Sequence, residues 1–221
     1  MALGVVVGLA AEARIARPLQ AVVTIGGGTP AGAEMAAESL AAGGVVGLLS
    51  FGLAGGLDPA LKPGDLLVPR AVRAFGQSWP ADAGLLALLG GPTIELLLGE
   101  GAVVASAAAK RQLWQATGAA AVDLESGAVA QAALRHDLPF AVLRAVCDPA
   151  SRSLPPATLA ALDAAGRVRP LRFLAATLRH PGQFAALLAL ASDAANARRA
   201  LAERARALGA LGPSPVLGDN G

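Results

Sequence analysis

The stretch AVDLESGAVAQAAL, residues 121–134, sets two carboxylates, Asp123 and Glu125, at the mouth of an apolar, alanine-rich helix. Helix chemistry alone can account for the pair. Asp123 suits an N-cap that accepts from free backbone N–H groups, and Glu125 suits the positive end of the dipole. Other residues able to do chemistry stand on either side. Glu12 follows an apolar run, with Arg14 and Arg17 close behind it, and Asp148 ends LRAVCD, where an aspartate before Pro149 also suits a turn. SFGLAGGLDPALKPGD carries Gly52, Gly55 and Gly56, which let backbone N–H groups approach an anion or a sugar oxygen. This loop is neither a dinucleotide fingerprint nor a Walker loop: no GxGxxG stands at the first strand–helix turn, and no GK[ST] follows. Arg144, inside an apolar strand, requires a partner, either a site acid, a phosphate or a structural counter-ion. Cys147 reads as a small buried hydrophobe. His136 and His180 stand at helix ends and suit terminal carbonyls. Two histidines at this spacing and a single cysteine assemble no metal site.

The 221 residues suffice for one α/β domain with a full core, and 54% apolar against 15% charged residues excludes a disordered role. Two Trp, five Phe and no Tyr leave few platforms for stacking single-stranded nucleic acid, and a net charge of +2 argues against a DNA-binding face. The opening apolar run is about eight residues, against about 20 for a bilayer span, and has no basic flank. The expectation is a cytoplasmic protein without nucleic-acid partners.

Positioning these residues takes a sheet. LGVVVGL (3–9), AVVTI (21–25), VVGLLS (45–50) and PFAVLRAV (139–146) read as strands, and GDLLVPRAVRAF (64–75) as extended chain broken at Pro69. A short helix follows the first strand, and helices are expected over 30–42, 107–117 and 124–137. Alternation of this kind predicts a three-layer α/β fold, a mixed but mostly parallel sheet between helices. Ligands of such sheets bind beyond the carboxyl ends of the strands, where Glu12, Gly26–Gly28, Gly52–Gly56 and Cys147–Asp148 fall. Residues 1–210 form one domain in this reading, with a helical, arginine-rich extension over 166–208 and a frayed tail over 211–221.

Taken together, GLAGGL with PGD (52–57 and 63–65), VDLES (122–126) and RAVCD (144–148) resemble the motifs of the purine nucleoside phosphorylase and methylthioadenosine/S-adenosylhomocysteine nucleosidase superfamily, in order and in spacing. GLAAEARIAR, TGAAAVDLES and the basic extension look most like the hopanoid-associated phosphorylases, which are taken to remove adenine from adenosylhopane. The resemblance implies cleavage of a purine N-glycosidic bond. It implies Asp148 as the acid at the base's N7, a role that requires a raised pKa. It implies Glu125 on the ribose 2′- and 3′-hydroxyls. Leu124, where the family usually carries Met, would line the ribose floor, and Gly52, Leu53, Ala54, Gly55, Ser106 and Cys147 would surround the nucleoside. Glu12 matches the base that activates water in the nucleosidases, with Ala13 the alternative alignment and a first-turn dipole partner the plain one. With phosphate as nucleophile, Arg14, Gly28, Thr29 and Arg144 would receive it. Inorganic phosphate is then the only co-substrate, with no cofactor. The alternatives are hydrolysis of methylthioadenosine type and a nucleoside-binding module without turnover. Purine stacking would fall to Phe51, Phe75, Trp79 or aliphatic side chains. A homo-oligomer is implied, and a lipid-linked substrate would bring the extension to the inner membrane face. Ordinary packing of those helices with snorkelling arginines is the other reading.

Overall fold

A short apolar run between turns is stable where a sheet covers both its faces, and Gly4–Val7 (β1) is buried at all four positions. In the computed structural model, which describes residues 2–155 and 184–211, β1 pairs in parallel with Val22–Ile25 (β2) and with Leu48–Gly56 (β3). The sheet continues through Leu66–Leu67 (β4), Pro69–Ala74 (β5), Gln77–Pro80 (β6), Ile94–Leu98 (β7), Ala121–Val122 (β8) and Phe140–Asp148 (β9). Its order is β2-β1-β3-β8-β7-β5-β6, with β9 paired to β3 and β4. β3–β9, β5–β7 and β7–β8 are parallel; β3–β8, β4–β9 and β5–β6 are antiparallel. The sheet is mixed and mostly parallel, as expected.

Successive strand residues face opposite ways, and the helices divide accordingly. Val6, Leu48 and Val142 pack under Pro30–Ala42 (α2) and Ser126–Arg135 (α5), which present Ala33, Ala37, Ala128 and Ala132. Val5, Val7 and Leu143 pack on the other face against Ala16 of Ala10–Ala16 (α1), Leu85 of Ala83–Leu88 (α3), and Ala197, Leu201 and Ala205 of Phe184–Ala210 (α6). Alanine at these contacts lets the helices lie close to the sheet. Ala107–Thr117 (α4) follows β7 in the chain and is capped by Ser106, whose hydroxyl accepts from Ala109 N–H at 3.1 Å.

Several expectations need correction. Gly52–Gly56 is no loop: β3 continues through it because both flanks are paired, to β9 on one side and β8 on the other. β9 likewise runs on to Asp148. The helix expected over 124–137 is shorter, since its first residues form the Asp123 turn and Asp137 has φ +51°. The His136 side chain meets the Glu38 carboxylate at 2.5 Å rather than terminal carbonyls. Phe51 is buried in the core, and Phe75 packs edge-on against Trp79 with centroids 6.4 Å apart, so none of these rings borders the site described below. Of the helical extension, residues 184–208 lie on α6, one face packed and Arg198, Arg199 and Arg206 exposed. Residues 166–183, His180, and the tail from 212 lie outside the described residues.

The approach of α2 to β2 is set by glycine. A Cβ on Gly26 would stand 2.8 Å from the Cα of Ala33, so Gly26→Ala must push the helix off the sheet. We expect it to lower stability by about 1–3 kcal/mol, the usual cost of overpacking, read from the urea midpoint at constant slope.

Candidate active site

A guanidinium without water must find its counter-charges inside the protein. Arg144, 2% exposed on β9, finds them at the start of α5. Its Nε stands 2.8 Å from Asp123 Oδ2, a charge contact with no hydrogen bond at Nε. Nη1 lies 3.3 Å from Glu125 Oε2, and Nη2 donates to Ser50 Oγ at 2.7 Å. Burial works against the Arg144 charge, yet the pull of Asp123, Glu125 and Glu12 outweighs it and raises its pKa.

Asp123 caps the turn as expected. Its Oδ1 accepts from Glu125 N–H at 3.0 Å and from Ser126 N–H at 2.8 Å, and its Oδ2 accepts from the Ser126 hydroxyl. Glu125 makes no cap hydrogen bond. Instead one oxygen leans on Arg144 and the other, Oε1, is buried with no partner. Burial pushes its carboxyl above the ordinary range, Arg144 pulling back and Asp123 and Glu12 adding to the rise. Two glycines make room for this crowd. A Cβ on Gly8 would lie 3.0 Å from both Glu125 oxygens, and one on Gly52 would lie 2.6 Å from Arg144 Nη1 and 2.7 Å from Glu12 Oε1. Glu12 itself is buried at the start of α1, where Oε2 accepts from Leu9 N–H at 2.9 Å and Oε1 from Leu53 N–H at 3.1 Å.

Asp148 enters through an irregularity. The β3–β9 register shifts between Ala54 and Gly55, leaving Cys147 as an extra residue on β9. Such a bulge lets neighbours share a side of the sheet, and Cys147 and Asp148 both border the same cavity. Asp148 Oδ2 accepts from Lys110 Nζ at 2.5 Å, while Oδ1 is buried without a partner. Burial raises the Asp148 carboxyl above the ordinary aspartate range; the Lys110 hydrogen bond and charge, then Arg152, oppose the rise. Cys147 is pushed up to about 12 by burial first and by the nearby acids second, which leaves an inert thiol.

These groups surround one cavity of about 660 Å³ at the carboxyl ends of β1, β3 and β9. Glu12, Leu53, Ala54, Gly55, Leu124, Glu125, Arg144, Cys147 and Asp148 border it, and so does Gly28 beside the open turn after β2. Asp123 and Lys110 join them. Four residues stand apart. Gly52 lies behind the cavity, between Arg144 and Glu12. Ser106 and Thr29 spend their hydroxyls as helix caps, and Arg14 projects outward, exposed. Arg144 borders the cavity with its guanidinium already committed to protein groups, which leaves it poorly placed to receive phosphate. The residue that sequence reasoning missed is Lys110. In AAAKRQLWQAT it reads as one of two adjacent cations on an amphipathic helix, and only the fold distinguishes it from Arg111. The remaining walls are aliphatic: Leu9, Ile25, Val103, Val104, Leu154 and Leu190.

Removing the central cation should be costly. We expect Arg144→Met to lower stability by about 3–5 kcal/mol, the usual penalty for stranding a buried counter-charge, measured by denaturant unfolding. Arg144→Lys should recover only part, because a point charge cannot reach Ser50 and both acids as the fork does.

The family model of the phosphorylase superfamily matches residues 12–179. No curated protein sequence matches the chain. Among solved structures, the 5′-methylthioadenosine/S-adenosylhomocysteine nucleosidase of Neisseria meningitidis, in complex with methylthio-immucillin-A, aligns with a TM-score of 0.64 and 18% identity, over 93% of this chain and 98% of that one. The native futalosine hydrolase of Helicobacter pylori aligns with a TM-score of 0.58 and 19% identity, over 66% of this chain and 87% of that one. At such identities the structural likeness speaks for the fold, while the family match spans most of the sequence: the chain belongs to the phosphorylase superfamily.

Proposed function

We propose that this enzyme cleaves the N-glycosidic bond of a purine nucleoside and releases adenine, and that adenosylhopane is its substrate. The observation that carries the reading is a pair of orphaned carboxyl oxygens. Glu125 Oε1 and Asp148 Oδ1 are buried polar atoms without partners, and both residues border one cavity at the strand ends. Buried polar groups are seldom left unsatisfied, because each costs about 1–3 kcal/mol. A nucleoside supplies what they lack. Its ribose hydroxyls donate to Glu125, and its base takes a proton from Asp148. As the C1′–N9 bond breaks, its electron pair moves onto the purine and positive charge builds on the ribose. The Glu125 carboxylate stabilises that charge, and the protonated Asp148 delivers its proton to N7. The aliphatic walls formed by Leu9, Ile25, Val103, Leu154 and Leu190 support an apolar 5′ substituent and an aliphatic bed for the base.

Two nucleophiles fit the family, and one observation bears on the choice. Among the described residues, the cations bordering the cavity are Lys110 and Arg144, both already paired, and Arg14 is outside it. Glu12 is inside, each oxygen keeping a lone pair beyond its backbone hydrogen bond. This favours the second reading, hydrolysis by a water that Glu12 deprotonates, over phosphorolysis through the backbone N–H groups at Gly28.

Adenine release from adenosylhopane and from methylthioadenosine, each with and without phosphate, tests the reading. Dependence on phosphate selects phosphorolysis, indifference to it selects hydrolysis, and no adenine from either nucleoside overturns the proposal. Asp148→Asn should slow release by about 10²-fold or more, the scale of general acid catalysis. The working form of Asp148 is protonated and burial raises its pKa, so the rate should fall on the alkaline side, at a pH above the ordinary aspartate range.

A further inference from the structure

Lys110 has no part in the cleavage as set out above, yet its placement is demanding. It is 1% exposed on α4, among the largest fully buried side chains of the described residues. An ammonium taken out of water needs all its donors satisfied, and here all three are. Nζ donates to Asp148 Oδ2 at 2.5 Å, to Pro149 O at 2.9 Å and to Arg152 O at 3.0 Å. One side chain thus ties α4 to the last residue of β9 and to both ends of the loop that follows. The result is an asymmetric carboxyl: Oδ2 is held by the ammonium, and Oδ1 is left unpartnered beside the cavity.

We propose that Lys110 is the positioning residue for Asp148, holding Oδ2 against the 149–152 loop so that Oδ1 alone meets the purine. The inference rests on the reading of Asp148 as the acid at the base. A carboxyl turns about a broad, nearly two-fold torsion, and the acid proton is productive on only one of its oxygens. An ammonium on Oδ2 directs the proton to Oδ1. When that proton passes to N7 and the C1′–N9 electron pair moves onto the base, the aspartate left behind already has its counter-ion in contact. Lys110 therefore favours the charge that Asp148 acquires in the step without touching the substrate.

The groups that face Asp148 come from four places: Lys110 on α4, Arg152 in the loop, Asp193 on α6, and Cys147 beside it on β9. Arg152 is itself paired with Asp193, and the two act on Asp148 in opposite directions. Cys147 stays a neutral thiol. Among the described residues Lys110 is the one that hydrogen-bonds the carboxyl, and its loss leaves burial unopposed by a direct partner.

The test compares Lys110→Met and Lys110→Arg with wild type and Asp148→Asn. Two readouts are taken: the pH profile of adenine release, split into kcat and KM, and the titration of 13C-labelled aspartate followed by NMR, with Asp148 assigned by its absence in Asp148→Asn. In Lys110→Met we expect kcat to fall about 10- to 100-fold with KM little changed, a part of the full effect of the acid. The alkaline limb and the Asp148 titration should both move upward, and Lys110→Arg should return them toward wild type. If Lys110→Met does not fold, Lys110→Gln, which also removes the charge, carries the same expectation: a lowered kcat and an upward-displaced titration with KM little changed. An Asp148 titration and kcat unchanged in the folded neutral variant overturn the proposal and leave Lys110 a structural tie. If wild type releases no adenine, the cleavage reading fails, and the NMR titration still decides whether Lys110 governs Asp148.

Discussion

The burial of one guanidinium organises this molecule. Arg144 stands in the middle of β9, covered by helices on both faces of the sheet, and its charge does not switch off. Its partners must therefore come to it, and they come from separate elements: Ser50 and Leu53 on β3, and Asp123 and Glu125 at the start of α5. The strand pair that supports it is the longest in the sheet, running from Leu48–Phe140 to Gly55–Asp148. Arg144 is thus held by rigid backbone on both sides, and it holds Glu125 by one oxygen only. The oxygen left over has no partner, and its residue borders the cavity. A structural ion pair and a ligand-binding acid are here the same interaction seen from two sides.

Crowding three carboxylates about one cation is expensive, and the surroundings show how the expense is contained. Gly8 and Gly52 remove the two Cβ atoms that would intrude on Glu125, Arg144 and Glu12. Backbone N–H groups of Leu9 and Leu53 hold Glu12, and the Asp123 turn supplies two more to its own carboxylate. What these donors leave over is small: the two orphaned oxygens of Glu125 and Asp148. Both belong to carboxyls whose pKa is raised chiefly by desolvation. Raised acids in a cleft are where proton-transfer chemistry is expected, and the aliphatic walls around them keep the dielectric low.

The cavity also shows how a parallel sheet builds a site. The ends of β1, β3 and β9 each deliver a group: Glu12 just past β1, Leu53–Gly55 within β3, and Cys147–Asp148 at the end of β9. The bulge at Cys147 adds the last of these by turning two successive residues to the same side. Across the opening, α4 and α6 contribute Lys110 and Leu190. Among the described residues no helix is long and apolar enough to cross a membrane. Arg199 and Arg206 of α6 lie opposite its packed Ala197–Leu201–Ala205 face, with Arg198 at the edge of that face.

Local pattern was enough for much of this. Buried valine runs, Pro30 after a capping Thr29, and alternation of strands with helices all act over a few residues, so the layers, the sheet and the cap at Asp123 were readable in the chain. Glu12 and Asp148 were readable as acids at strand ends, whereas Glu125 stood out from ordinary helix-end chemistry only through the resemblance that VDLES carries. What needed the tertiary structure were the facts that depend on partners far along the chain. Gly52–Gly56 becomes strand only because β8 and β9 flank it. Arg144 and the hydroxyls of Ser106 and Thr29 prove already committed, and Arg14 faces outward. Lys110, indistinguishable from Arg111 by sequence, is buried against a carboxylate 38 positions away. Burial and pairing are properties of the assembled fold, and they decide which polar atoms are spent and which remain free to bind.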